Sequence, residues 1–390
     1  MMSINLQQVP AVDVHCHPFV APEKPHTVES FLNTLSLSVI PDMFTKQDIS
    51  ENGIVPGMNM YLQLTIRRLA QFFQCEPHIE AVVEARNQHA EDYANYTQSL
   101  YQDANITGMI VDYGYPVPHI PKADFEQTAG FHTFEIYRIE PVMEHYGAQC
   151  KTFTEFKQAY YDDLLQTLQR PDVVGLKSII AYRSGLEVLP KDEDMAADAY
   201  ATFRNDTRAA VKPLRDYCMH LAMEACTETD KVMHIHTGVG DGEVVLPKAS
   251  PSLLIDMLRT PKYSQTKVHF VHGGYPWMEE AAFITSILPN VYMDISLQIP
   301  FAGHGAKRIL STVFEFAPFD KVMFGSDCFS APEMNWLAAK LFRQDLTEVL
   351  ETWVERDYMD EHMAQEIGEM VLYRNFERVY QDAIAACNGK

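Results

Sequence analysis

Short apolar runs rich in β-branched residues alternate along this chain with longer stretches of helical period. The runs are Ala11–His15, Ile106–Tyr113, Thr133–Ile139, Val173–Ala181, Lys231–His236, Lys267–His272, Val291–Ile295 and Lys321–Phe324. They show little polar alternation, as expected of parallel strands buried on both faces. From the fourth run onward each precedes an amphipathic segment, for example Ser252–Leu258 and Met278–Leu288. Strand and helix alternating through one chain imply βαβ units, and eight strands of this kind suggest an α/β fold closed into a (β/α)8 TIM-type barrel. An open doubly wound sheet is the competing architecture, but no G-x-G-x-x-G follows any of the runs.

Two segments exceed a minimal barrel. Residues 18–105, between the first and second strands, read as a mostly helical insertion through VESFLNTLSLSVI, MYLQLTIRRLAQFF and HIEAVVEARNQHAEDYANYTQSLYQ. Rising from the C-terminal face, it is expected to form a lid or wall of a pocket; a packing subdomain or oligomer interface is the alternative. Residues 333–390 read as terminal helices lying on the outside or across the bottom. Residues 1–390 are thus expected to form a single domain.

Of the 390 residues 47% are hydrophobic, and the net charge is −22. That is an ordinary globular composition, with an acidic balance that disfavours nucleic acid or an anionic membrane as partner. No apolar run approaches a membrane span, and the N-terminus lacks the basic and apolar regions of a signal peptide. Seven scattered cysteines make no disulfide framework and fit a reducing cytoplasm.

Barrel chemistry comes from strand ends, and here those ends share a bias. Strand one ends in His15-Cys16-His17, strand four carries Lys177, strand five ends in His234-Ile235-His236, strand six in His272-Gly273-Gly274, and strand eight in Gly325-Ser326-Asp327. With a side-chain period of two, His15 and His17 project together while Cys16 points away. Such a pair can present two imidazoles to one ion, and imidazole with carboxylate is the donor set of zinc and similar divalent metals. Taken singly, each residue has a plainer reading as a satisfied core histidine or a helix-capping aspartate. Together they favour a metal, since burying so many unpartnered imidazoles is costly.

The ordered motifs V-D-V-H-C-H, I-H-T-G, V-H-G-G-Y-P and F-G-S-D resemble those of the amidohydrolase superfamily. More narrowly, the chain resembles the amidohydrolase-related family of hydrolases and decarboxylases. Gly175–Leu186 (GLKSIIAYRSGL), with I-H-T-G-V-G-D and G-S-D-C-F-S-A-P-E, is similar to the amidohydrolase-like half of glutamine-synthetase fusion proteins. The resemblance spans roughly residues 11–340 and does not cover the insertion. It implies His15, His17, His236, His272 and Asp327 as metal ligands, with His272 holding a second ion or contacting substrate. Asp327 is also implied as the proton acceptor for a nucleophilic water. His234 has no counterpart; core packing or a hydrogen bond behind the ligands is expected of it.

Lys177 bears on the metal count. In two-metal members a strand-four lysine is carboxylated and bridges both ions, whereas an ordinary buried ammonium would pair with Asp294 or Asp327. One or two ions, zinc first, are therefore expected. Arg183 is a candidate clamp for a substrate carboxylate. Tyr182, Tyr275 and His304 are further substrate-contact candidates. The expected activity is hydrolysis of a C–N, amide-type bond in a small, carboxylated molecule by a metal-activated water. Non-oxidative decarboxylation is the alternative, and a non-catalytic assembly module the third reading. A homo-oligomer is the default expectation for such a chain.

Overall fold

The computed structural model describes residues 4–37 and 59–388. Eight parallel strands follow in sequence order around one sheet: β1 (Ala11–Cys16), β2 (Ile106–Asp112), β3 (Phe134–Arg138), β4 (Val173–Ser178), β5 (Val232–His236), β6 (Val268–Val271), β7 (Val291–Asp294) and β8 (Val322–Met323). Every strand matches one of the apolar runs. Backbone bonds join the two ends of the sheet: Val14 N donates to Phe324 O (3.0 Å), Asp327 N to His15 O (2.8 Å) and His17 N to Cys328 O (2.6 Å). The strand order is sequential and the ends meet, which is a barrel and not a doubly wound sheet.

The strands form where the sequence is apolar on both sides of the pleat. All residues of β1, β4, β5 and β6 are buried. Helices take over where polar positions recur at helical spacing. Helix Phe153–Leu168 starts at a capping box, with Thr152 and Glu155 bonding each other's backbone N–H groups. Helix Lys212–Thr229 carries proline in its first turn, where the missing N–H is harmless. The 252–258 stretch is less regular than its period suggests: a 3-10 turn, Pro251–Leu254, runs into a single helical turn, Ile255–Leu258.

In the insertion the described residues form helices Val28–Leu35, Met60–Phe73, Ile79–His89 and Tyr93–Asp103. The third predicted stretch is thus two helices, because Asp92 accepts from Asn95 N (3.1 Å) and caps a new start. Residues 38–40, predicted to continue the first helix, lie outside the described residues. At the C-terminal end, helix Pro332–Glu355 packs along the barrel. The segment from Asn375 onward crosses the floor, where Phe376, Val379 and Tyr380 meet Val12, Ile110 and Val174 from the barrel interior. Among the described residues no helix is long and apolar enough to cross a membrane.

Candidate metal centre

The H-x-H pair of β1 behaves as its alternation requires. Cys16 turns outward, its thiol donating to Ile110 O (3.7 Å), while both imidazoles face inward. His15 Nε2 lies 3.3 Å and His17 Nε2 3.4 Å from the same oxygen, Asp327 Oδ1. The carbonyl of Asp112 can only accept, so the 3.0 Å contact to His17 Nδ1 places a hydrogen there. Its other ring nitrogen, Nε2, is thereby turned towards the carboxylate.

Asp327 is carried opposite the two histidines by Asp13, which lies wholly buried on β1. Asp13 accepts from Ser326 N (2.9 Å), Ser326 Oγ (2.5 Å) and Asn335 Nδ2 (2.9 Å), so β1 and the segment leaving β8 share one carboxylate. Burial pushes its carboxyl up to about 6 against the pull of these donors.

His272 follows β6 with φ +70°, and Gly273 and Gly274 continue in the left-handed region at +52° and +71°. A Cβ on Gly273 would meet Asp294 O at 2.8 Å and one on Gly274 would meet Pro251 at 2.5 Å, so this turn needs both glycines. It ends β6 one residue before the predicted His272 and rotates the imidazole into the barrel mouth. Ser296 Oγ donates to Asp294 Oδ1 (2.5 Å) and therefore accepts from His272 Nδ1 (2.8 Å). That leaves the Nε2 lone pair facing Asp327 Oδ2, 3.8 Å away. Donor atoms of His15, His272 and Asp327 all lie within 4.8 Å of one another. His17 falls outside that tightest group. The His236 ring stands edge-on to His272 at 4.5 Å, and Lys177 Nζ lies 2.9 Å from His15 Nε2.

Desolvation holds the imidazoles of His15, His236 and His272 well below their usual range, pushes Lys177 down to about 8 and raises Asp327. Strained backbone gathers at the same place. Asp327 has φ +54°, and Leu297, φ +63° and ψ −50°, is the centre of a γ-turn in which Gln298 N donates to Ser296 O (2.7 Å).

These groups open into a cavity of about 400 Å³. Its wall includes His15, His17, Lys177, His236, His272 and Asp327, together with Tyr182 and Arg183. Tyr182 accepts from Asp241 N (3.2 Å) and packs edge-on to His236 at 4.6 Å. Two substrate-contact candidates are not brought there. Tyr275 is half-buried against the core, held by its carbonyl's bond from Val239 N (2.7 Å), and does not line the cavity. His304 is exposed on the turn Gly303–Gly305, away from the cavity wall. His234, one pleat below His236, bonds Leu176 O (3.2 Å) and Tyr380 Oη (2.8 Å) behind the ligands.

Sequence reasoning missed Arg138 and Tyr115. Arg138, the last residue of β3, lines the cavity while Nε and Nη2 donate to Asp112 Oδ2 at 3.0 and 2.6 Å. The strand-end rule that found His17 finds it too, once the run Thr133–Ile139 is cut back by one residue to end at Arg138. Tyr115 packs edge-on to His17 at 5.4 Å, and no spacing signal marks it.

The residues present suit a divalent ion. Among the described residues His236 Nε2 and Asp327 Oδ1 are buried polar atoms without a hydrogen-bond partner, and Nε2 of both His15 and His17 converges on Asp327 Oδ1. Imidazole and carboxylate donors are what borderline divalent metals take.

An amidohydrolase family model matches residues 12–381. Protein fluG of Emericella nidulans is 31% identical over 226 residues, which is 54% of this chain and 26% of that protein. The chain therefore spans about a quarter of the length of that curated relative. A candidate metal-dependent hydrolase from Lactobacillus casei superposes with a TM-score of 0.84 at 25% identity, covering 96% of both chains. A uronate isomerase of Bacillus halodurans shares the fold, with a TM-score of 0.69 at 12% identity, covering 98% of this chain and 96% of that one. With the family model matched across nearly its whole length, the chain belongs to the amidohydrolase family of metal-dependent (β/α)8 barrels.

Proposed function

We propose that this protein is a hydrolase that uses one or two divalent cations, zinc first, to cleave a C–N bond in a small, carboxylated molecule. What carries the reading is the convergence of His15, His272 and Asp327, whose donor atoms lie within 4.8 Å of one another, with His17 Nε2 3.4 Å from Asp327 Oδ1. His15, His17, His236, His272 and Asp327 would hold the cation, and a carbamate on Lys177 would let a second ion share the site. A divalent ion bound there polarises a carbonyl and brings the pKa of water near neutrality.

The chain's own groups supply the rest. Asp327 takes a proton from the attacking water and returns it to the leaving nitrogen. His272, with Nδ1–H engaged by Ser296, offers only an acceptor at Nε2, which suits a ligand better than an oxyanion donor. Arg138, with Nε and Nη2 held by Asp112, and Arg183, which is freer, put two guanidinium groups on the wall for a substrate carboxylate.

The test is metal content together with the intact mass at Lys177, then released amine or ammonia against released carbon dioxide over a panel of small carboxylated amides. Two ions, a carboxylated Lys177 and released amine support hydrolysis. One ion, a bare lysine and carbon dioxide release would replace it with decarboxylation. No stoichiometric metal in wild type would overturn both.

A further inference from the structure

Beneath the metal centre a buried polar chain crosses the barrel floor. Tyr380 Oη, from the C-terminal segment, lies 2.8 Å from His234 Nε2 and 3.2 Å from His269 Nδ1. His269 Nε2 lies 2.8 Å from Asp294 Oδ2. Asp294 Oδ1 accepts from His272 N (3.0 Å) and from Ser296 Oγ (2.5 Å), and Ser296 Oγ in turn accepts from His272 Nδ1 (2.8 Å). Every link is buried, and the chain runs unbroken from the last helices to a metal-facing histidine.

The direction of each bond follows from what its atoms can do. Leu176 O can only accept, so His234 Nδ1 donates to it and neutral His234 accepts at Nε2 from the Tyr380 hydroxyl. The same hydroxyl oxygen lies 3.2 Å from His269 Nδ1. His269 Nε2 donates to the Asp294 carboxylate. His269 is thus held at both ring nitrogens, between a phenol and a carboxylate. Asp294, fixed from below, holds both the backbone N–H of His272 and, through Ser296, its Nδ1–H. One tautomer and one ring orientation of His272 result, with Nε2 presented to Asp327.

We propose that Tyr380 is a positioning residue for the metal centre, acting through His269 and Asp294 to fix the orientation of His272. The proposal rests on the metal-dependent reading above. Without the phenolic oxygen His269 loses its partner at Nδ1 and is held through Nε2 alone, so the grip of Asp294 on His272 slackens. Removing groups behind a metal ligand weakens metal binding about 10–100-fold.

The test compares wild type, Tyr380→Phe and Val379→Ala, reading zinc affinity by chelator competition and the melting temperature of the metal-free protein. Tyr380→Phe keeps the ring stacked on His234 and removes only the hydroxyl. Val379→Ala thins the same floor and touches no link. The expected result is zinc binding weaker by about tenfold or more in Tyr380→Phe and unchanged in Val379→Ala, although both melt lower. Wild-type zinc affinity in Tyr380→Phe, whatever its melting temperature, overturns the inference and leaves the hydroxyl a purely structural group. If that variant does not fold, His269→Gln cuts the same chain and is read the same way. A wild type that takes up no zinc overturns the metal-dependent reading and this inference with it.

Discussion

Lys177 Nζ and His15 Nε2 stand 2.9 Å apart inside the barrel, and among the described residues Lys177 forms no ion pair. The acids around it, Asp112 first and then Asp327 and Asp294, act only at longer range. Desolvation therefore dominates and brings the amine down to about 8 from 10.5. The unfolded chain holds its proton until about 10.5 and the folded chain releases it near 8, so between these values the unfolded state binds more protons. Stability of the metal-free protein should rise with pH across that window, the cost of the buried ammonium being fully present below it. Lys177→Met, kept free of metal and carbon dioxide, is expected to be more stable than wild type at pH 7 by on the order of 1–3 kcal/mol. The gain should fade toward pH 10 in urea melts. A variant destabilised equally at every pH would show a well-paired ammonium instead.

Asp327→Asn separates the roles of charge and shape. The carboxylate is raised by burial and, among the described residues, Oδ1 has no hydrogen-bond donor, so at neutral pH it is a cost to the metal-free fold. Raised above its usual range, its penalty appears as pH climbs through the shifted pKa and remains at pH 7. The asparagine variant should melt no lower than wild type without metal. With metal its turnover should fall by about 10²–10⁴-fold. A variant that melts much lower but turns over normally would make Asp327 structural.

What the sequence disclosed and what it hid follow from range. His15, His17, Lys177, His236, His272 and Asp327 were legible because each sits on or directly after an apolar strand whose pleat sets its direction. The strands were legible because runs buried on both faces have no polar alternation to blur them. Tyr275 and His304 lie in turns, where the direction depends on backbone angles that no period reveals, and neither lines the cavity. Asp13, Ser296 and Tyr380 were hidden because their partners are distant in sequence: Asp13 bonds Ser326 and Asn335, and Tyr380 bonds His234 and His269. The break at Asp92 was readable, as an N-cap inside a helical period.

Arg138 and Arg183 differ in freedom, which gives a prediction about substrate charge. Arg138 is fixed by two bonds to Asp112, whereas the ion pair of Arg183 is a 3.9 Å contact to exposed Glu243. Arg183→Met should raise KM for a carboxylated substrate about 10–100-fold, the worth of one charge-assisted hydrogen bond, while its methyl ester is processed as by wild type. Equal losses on acid and ester would remove Arg183 from carboxylate recognition. Arg138→Met should also lower the melting temperature, since it leaves buried Asp112 without its guanidinium.

The insertion is tied to the barrel by a buried ion pair. Arg86 Nε meets Glu333 Oε1 at 2.8 Å, Tyr96 Oη donates to the same oxygen at 2.8 Å, and the guanidinium lies 5.4 Å from the Tyr96 ring centroid and 5.7 Å from that of Tyr93. Glu333 stands in the first turn of helix Pro332–Glu355, six residues after Asp327, so the contact links the insertion to the segment that carries the carboxylate. Removing one partner strands a charge in a site the other fills with less than 2% exposure, and such losses cost about 3–5 kcal/mol. Glu333→Gln is expected to lose about that much in urea unfolding. Replacing both, Arg86→Met with Glu333→Leu, leaves no unpaired charge and should recover most of the loss, because well-packed apolar side chains match a buried pair in stability. If the double variant stays as unstable as the single one, the pair is holding geometry that apolar packing cannot supply, and zinc affinity should then fall in both.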